Sequence, residues 1–133
     1  MRLHHVAIAV DDLDVALATQ LALTGGRVDH EPTDLPEQGV RAATIDVAGS
    51  AVELVSPTGR GGVQRFLERR GEGLHHVAYE VDDLGAALDE AVGRGQRVLP
   101  GAGRIGLHGT PVAFLHPADC SGVLVELVEQ APG

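Results

Sequence analysis

Between residues 3 and 10 the chain alternates. Val6, Ile8 and Val10 fall on one face of an extended strand, and Leu3, His5, Ala7 and Ala9 on the other. The first face has the bulk to pack against a helix. The second, a His between small Ala neighbours, suits a concave surface with room for a ligand. Asp11 and Asp12 then precede a stretch with Leu13, Ala16, Leu17 and Leu21 on one stripe, ending at Gly25-Gly26. This predicts a helix with an acidic cap and a glycine stop. A short strand at 27–31, a loop framed by Pro32 and Pro36, and a turn at Glu37-Gln38-Gly39 follow. A strand from Val40 to Val47, a hairpin at Gly49-Ser50 and a strand over 51–55 complete the first series. In that last strand Val52 and Leu54 face one way, and Glu53 faces the other with Ala51 and Val55.

The pattern then repeats. Residues 3–17 and 74–88 are identical at 11 of 15 positions, and Val52-Glu53-Leu54-Val55 returns as Val125-Glu126-Leu127-Val128. Between the copies lie a Gly- and Pro-rich connector from Ser56 to Gly62 and a short helix with Val63, Phe66 and Leu67 as its stripe. In the second copy His76 shares a face with Leu74 and Ala78, while Val77, Tyr79 and Val81 form the other. Its helix, from Asp83 to about Val92, carries Leu84, Ala87, Leu88, Ala91 and Val92 and stops at Gly93 and Gly95. Gly101 to Thr110, with four glycines, Arg104 and His108, reads as a mobile loop beside the site. Strands at Pro111–His116 and Val123–Val128, a turn from Pro117 to Gly122 and a short frayed tail end the chain. The sequence thus predicts one α+β domain over residues 1–133. Its two strand-helix-three-strand modules span about 1–58 and about 73–130, with a linker and short helix at 59–72. Neither module, at roughly 65 residues, is large enough to be stable alone.

Composition narrows the partners. The formal charge is −9, and all ten basic residues are Arg. Nucleic acid and anionic membrane both need a basic footprint, so they are set aside. An anionic ligand would have to use local clusters such as Arg65, Arg69 and Arg70 or Arg94, Arg97 and Arg104. No apolar run approaches the ~20 residues of a membrane span. Met1-Arg2 leads straight into the first repeat, so no signal peptide is expected. The single Cys120 cannot form an intrachain disulfide, and the cytoplasm is the expected compartment.

The chemistry lies in the repeat. A carboxylate in the middle of Val-Leu-Val strand sequence is costly to bury unless it is paired, protonated or metal-bound, and this chain does it twice. His5 and His76 also occupy corresponding positions. Two imidazoles and two carboxylates, His5, Glu53, His76 and Glu126, make a mixed N/O donor set for a divalent cation. Co, Mn, Ni, Zn or Mg would suit such a set, and two octahedral positions would remain open. His4 and His75, one residue earlier, point to the opposite face and are expected to pack on the helix side. His30, His108 and His116 lie outside the repeat and read as loop or surface groups, with His108 the one to approach the site.

With these residues in place the chain resembles the vicinal oxygen chelate (glyoxalase/bleomycin resistance/dioxygenase) superfamily, and within it the methylmalonyl-CoA epimerase family. The resemblance rests on Leu3-His4-His5-Val6-Ala7, Val52-Glu53-Leu54 and Gly122-Val123-Leu124-Val125-Glu126-Leu127. It becomes specific through Pro36-Glu37-Gln38-Gly39-Val40, Gly71-Glu72-Gly73-Leu74-His75-His76-Val77-Ala78 and Ala113-Phe114-Leu115-His116-Pro117. It implies two βαβββ modules forming a cupped mixed sheet around a metal, with His5, Glu53, His76 and Glu126 as ligands. It implies epimerisation of (2R)- and (2S)-methylmalonyl-CoA, with Glu126 and Glu37 as the acid/base pair, and a homodimer. From composition alone Glu37 would be a solvated loop acid. The family often carries aromatic residues after Leu17, where this chain reads Ala18-Thr19-Gln20-Leu21-Ala22, so ethylmalonyl-CoA or a similar thioester is also considered. Rival readings are a lactoylglutathione lyase-type isomerase, an extradiol dioxygenase, and a non-enzymatic antibiotic-binding module. The Pro36–Val40 loop speaks against the first, the second Glu against the dioxygenase, and the scarcity of aromatics against the binding module.

Overall fold

The computed structural model describes residues 1–132; Gly133, the end of the tail expected to fray, lies outside the described residues. Helices and strands are interspersed along the chain, an α+β arrangement. Two compact units divide within the repeated strands: His5–His75 form the first, and Met1–His4 with the chain from His76 onward form the second.

The first unit begins inside β1 (Arg2–Ala9). It continues through α1 (Leu13–Thr24), β2 (Arg27–Leu35), β3 (Val40–Val47), β4 (Ser50–Pro57) and α2 (Gly62–Arg70). Its strand order is β2-β3-β4-β1, with β1 and β4 parallel and the other pairs antiparallel. The Asp12 carboxylate caps α1 by accepting from the Val15 N–H. Gly25 ends the helix in the left-handed region, φ 68°, which glycine adopts without penalty. Ile8 and Val10 pack with Leu13, Ala16, Leu17, Ala43, Val52 and Leu54, so the bulky face of β1 does take the helix. His5, Ala7, Ala9 and Glu53 are left for the opposite face.

One expectation fails in this unit. Instead of a loop from Pro32, β2 runs on to Leu35. β2 is an edge strand, and its ladder to β3 breaks register between His30 and Thr33. Pro32, with no N–H to donate, sits in that gap, where a strand tolerates proline.

The second unit takes up β5 (Gly73–Val81) at His76. It adds α3 (Leu84–Gly93), β6 (Arg104–Ile105), β7 (Pro111–Leu115) and β8 (Val125–Glu129), with the start of β1 beside β5. Asp83 caps α3 through the Ala86 N–H, as Asp12 caps α1. Tyr79 and Val81 pack with Leu84, Ala87, Leu88, Ala91, Ala113, Leu115 and Leu127. Val92, expected on that stripe, is exposed. Eight residues after Leu84 it lies ~80° round the helix, at the edge of the apolar arc.

Gly101 to Thr110 is a tight hairpin rather than an irregular loop. β6 pairs with β7 through Arg104 opposite Val112 and Ile105 opposite Pro111. The Gly106 N–H donates to the Thr110 carbonyl at 3.0 Å, and Leu107 and Thr110 are buried. Gly106 has little choice of residue: a Cβ there would lie 2.9 Å from Val112 Cγ1. No helix among the described residues is long and apolar enough to cross a membrane.

Candidate active site

Each unit buries one imidazole against one carboxylate, and both do so in the same register. In the first unit Ala7 of β1 pairs with Glu53 of β4, placing His5, two residues earlier on the same face, beside the carboxylate. His5 Nε2 lies 2.7 Å from Glu53 Oε2. In the second unit Ala78 of β5 pairs with Glu126 of β8, and His76 Nε2 lies 3.4 Å from Glu126 Oε1. All four residues are buried, none more than 7% exposed. The small residues Ala7, Ala9 and Ala78 on these faces are themselves fully buried. Parallel pairing of the first and last strands of each copy is what brings together residues about fifty positions apart.

The copies differ on the far side of each carboxylate. Glu126 pairs across β7 with Phe114, whose ring meets His76 edge to face at 5.2 Å. Glu53 pairs across β3 with Thr44, a fully buried residue whose hydroxyl has no hydrogen-bond partner among the described residues. A strand threonine carries no sequence signal for such a place.

Glu37 is exposed in a 3-10 turn, Pro36–Gln38. Pro36 presets the first residue of that turn. Gly39, at φ 66°, closes it by donating to the Pro36 carbonyl at 3.1 Å. The turn is anchored to the connector, because the Gly39 carbonyl accepts from the Thr58 N–H at 2.9 Å.

The remaining histidines divide. His75 meets the ring of Phe66 on α2 at 5.1 Å, the helix-side packing expected of it. His4 differs. Its Nε2 is 4.0 Å from Glu80 Oε2, and its ring is 4.9 Å from that of the exposed His108. The first four residues belong with β5 and the β6–β7 hairpin, which is why His4 finds these neighbours rather than a helix. His30 Nδ1 is 3.1 Å from the Glu31 carbonyl, and His116 Nδ1 accepts from the Ala118 N–H.

Arg97 is already engaged. Asp119 accepts from its backbone N–H and Nε at 2.9 Å and from Nη2 at 3.2 Å. The guanidinium's hydrogen bonds are the main cause holding the Asp119 carboxyl down at about 2, and the same pairing raises Arg97. Arg94 bonds to Gln96. Arg65, Arg69 and Arg70 are exposed cations carried together on α2.

Comparison with known proteins gives this geometry a context. Residues 4–114 match the Glyoxalase/Bleomycin resistance protein/Dioxygenase superfamily. An ethylmalonyl-CoA/methylmalonyl-CoA epimerase of Cereibacter sphaeroides is 46% identical over 129 residues, 95% of this chain and 96% of its own length. The chain belongs to the methylmalonyl-CoA epimerase family. The mitochondrial methylmalonyl-CoA epimerase of Bos taurus is 43% identical over 98% of this chain and 74% of its own. A solved Streptomyces coelicolor methylmalonyl-CoA epimerase variant, in complex with 2-nitronate-propionyl-CoA, is 37% identical with a TM-score of 0.91 over 99% of each chain. Membership of this epimerase family makes the chain an isomerase on the glyoxalase fold.

Proposed function

We propose that this protein interconverts the (2R) and (2S) forms of methylmalonyl-CoA in a cation-dependent reaction. The observation that carries the reading is the buried His–Glu pair built twice in one register, Ala7 opposite Glu53 and Ala78 opposite Glu126. Family membership supports the substrate. The donor set fits a divalent cation: two imidazole nitrogens and two carboxylates, buried where an uncompensated charge is costly. His5, Glu53, His76 and Glu126 would hold it, with cobalt the first candidate. Such a cation supplies Lewis-acid stabilisation of negative charge developing on the thioester oxygen, worth several kcal/mol.

The chain's own groups move the proton. The α-carbon of the substrate lies between a thioester and a carboxylate, so its C–H electrons delocalise into the carbonyls as the proton leaves. One carboxylate accepts the proton on one face, and the other carboxyl delivers a proton to the opposite face. Glu126 takes one side and Glu37, from its anchored turn, the other. Each ends the turnover with the protonation state the reverse direction requires. Two groups remove any need for the substrate to turn over.

The anionic CoA tail would run over the exposed Arg65, Arg69 and Arg70. Ethylmalonyl-CoA as a further substrate is supported by the name of the Cereibacter sphaeroides relative. A homodimer and a cytoplasmic location belong to the same reading, the first on family resemblance and the second on the lone Cys120.

The test is to incubate the cobalt-loaded protein with a single epimer in heavy water, beside a chelator-treated control. The reading expects loss of configuration with deuterium gained at the α-carbon, both abolished by the chelator. No exchange above the control would refute it.

A further inference from the structure

Thr44 is fully buried in β3, and its Oγ1 has no hydrogen-bond partner among the described residues. A stranded buried hydroxyl is unusual, because nearly all such groups in folded proteins are satisfied. Its location says what it is for. Thr44 stands directly opposite Glu53, so the two side chains leave the sheet on the same face with Cβ atoms ~5 Å apart. The other sheet neighbours of Glu53 on that face are Ala7 across β1 and Ala51 and Val55 along β4. Of these four, Thr44 alone carries a side-chain donor.

In the present arrangement Glu53 has His5 Nε2 at 2.7 Å, a hydrogen bond that needs a proton on one of the two atoms. A cation that took the Nε2 lone pair and one Glu53 oxygen would remove that proton. The second oxygen of a buried carboxylate would then be without a donor. The Thr44 hydroxyl, whose hydrogen turns about the Cβ–Oγ1 bond, can supply one. With none of its surface exposed, Thr44 cannot reach a bound substrate. Its partner must come from the protein.

We propose that Thr44 is a positioning residue whose hydroxyl hydrogen-bonds to Glu53 once a divalent cation binds, orienting that carboxylate as a ligand. The proposal rests on the cation reading given above. The second unit provides a control on the alternative that Thr44 is mere filling. The corresponding place beside Glu126 is occupied by Phe114, so an apolar side chain is accommodated there.

Thr44→Val keeps the shape and removes the hydroxyl, and Thr44→Ser keeps the hydroxyl. Cobalt affinity is measured for wild type and both variants by competition with a chromophoric chelator. Melting of the chelator-treated proteins is followed in parallel. The proposal expects about a 10-fold to 100-fold weaker cobalt affinity in Thr44→Val, recovered in Thr44→Ser. Chelator-treated Thr44→Val should melt no lower than chelator-treated wild type, because the lost hydroxyl has no partner in that state. Wild-type affinity in Thr44→Val would overturn the proposal while leaving the cation reading intact. A lower melting temperature of the chelator-treated variant would also overturn it, by showing a structural partner. If wild type itself takes up no cobalt, the cation reading falls and Thr44 falls with it.

Discussion

Replacing Glu37 by Gln separates the two halves of the proton transfer. Glu37 is exposed in a three-residue turn held by Pro36 and Gly39, and the exchange preserves size while removing charge. The substitution should therefore shift the unfolding free energy by no more than about 0.5 kcal/mol. A positioned acid/base is worth about 10²- to 10⁴-fold in rate. That is about 3–5 kcal/mol of barrier, so epimerisation should fall by that factor in both directions while the melting temperature stays nearly fixed. Isotope exchange is the sharper assay. With Glu126 untouched, the epimer whose α-proton faces it should still gain deuterium in heavy water, now without inversion. The other epimer should neither exchange nor invert. Exchange of both epimers at wild-type rates in Glu37→Gln would refute the assignment of Glu37 to one face.

Three further outcomes follow from the structure. Leu54 is fully buried against α1 and points away from its neighbour Glu53, so Leu54→Ala should cost about 2–5 kcal/mol, lowering the melting temperature by about 10 °C. Cobalt affinity of the folded protein should be unchanged in the same variant. Gly39→Ala puts a side chain at φ 66° with its Cβ 3.3 Å from the Arg60 carbonyl oxygen, at a cost of about 1–2 kcal/mol. Displacing the Glu37 turn should lower kcat more than it raises KM. Because the Arg97 hydrogen bonds hold the Asp119 carboxyl at about 2 in the folded protein against its ordinary 3.8, its stabilising contribution is complete above about pH 5 and is lost as pH falls through 2. Asp119→Asn should accordingly melt below wild type at neutral pH, and the gap in denaturant titrations should narrow steadily as pH falls toward 2 and close below it.

The parts of the molecule governed by local periodicity could be read from the sequence. Alternation assigns Ile8 and Val10 to the helix side of β1 and His5 to the other, and the capping acids Asp12 and Asp83 mark both helix starts. The repeat identifies His5, Glu53, His76 and Glu126 as equivalent pairs, though not the strand register that seats each imidazole beside its carboxylate. Where pairing overrides local preference, reading from sequence fails. Pro32 argues for a loop until β2 is seen to be an edge strand with a register break, and the glycines of residues 101–110 argue for irregularity until Arg104 and Ile105 find β7. The Arg97–Asp119 pairing joins groups 22 positions apart, with one carboxylate meeting both the backbone N–H and the guanidinium of Arg97. Thr44 is invisible for the same reason: its importance comes from facing Glu53 across a ladder.

The division of the molecule inside its repeated strands turns the two His-His dipeptides into paired reporters. His4 senses Glu80 and His108 in the second unit, and His5 senses Glu53 in the first. His75 senses Phe66 in the first unit, and His76 senses Glu126 and Phe114 in the second. Four imidazole resonances, adjacent in pairs along the chain, therefore record the opening of two different bodies. Followed through a denaturant series by magnetic resonance, they would show whether a peptide bond separates two cooperative units or lies inside one. No label or added probe is needed, because the duplication that built the site also placed an observer on each side of both boundaries.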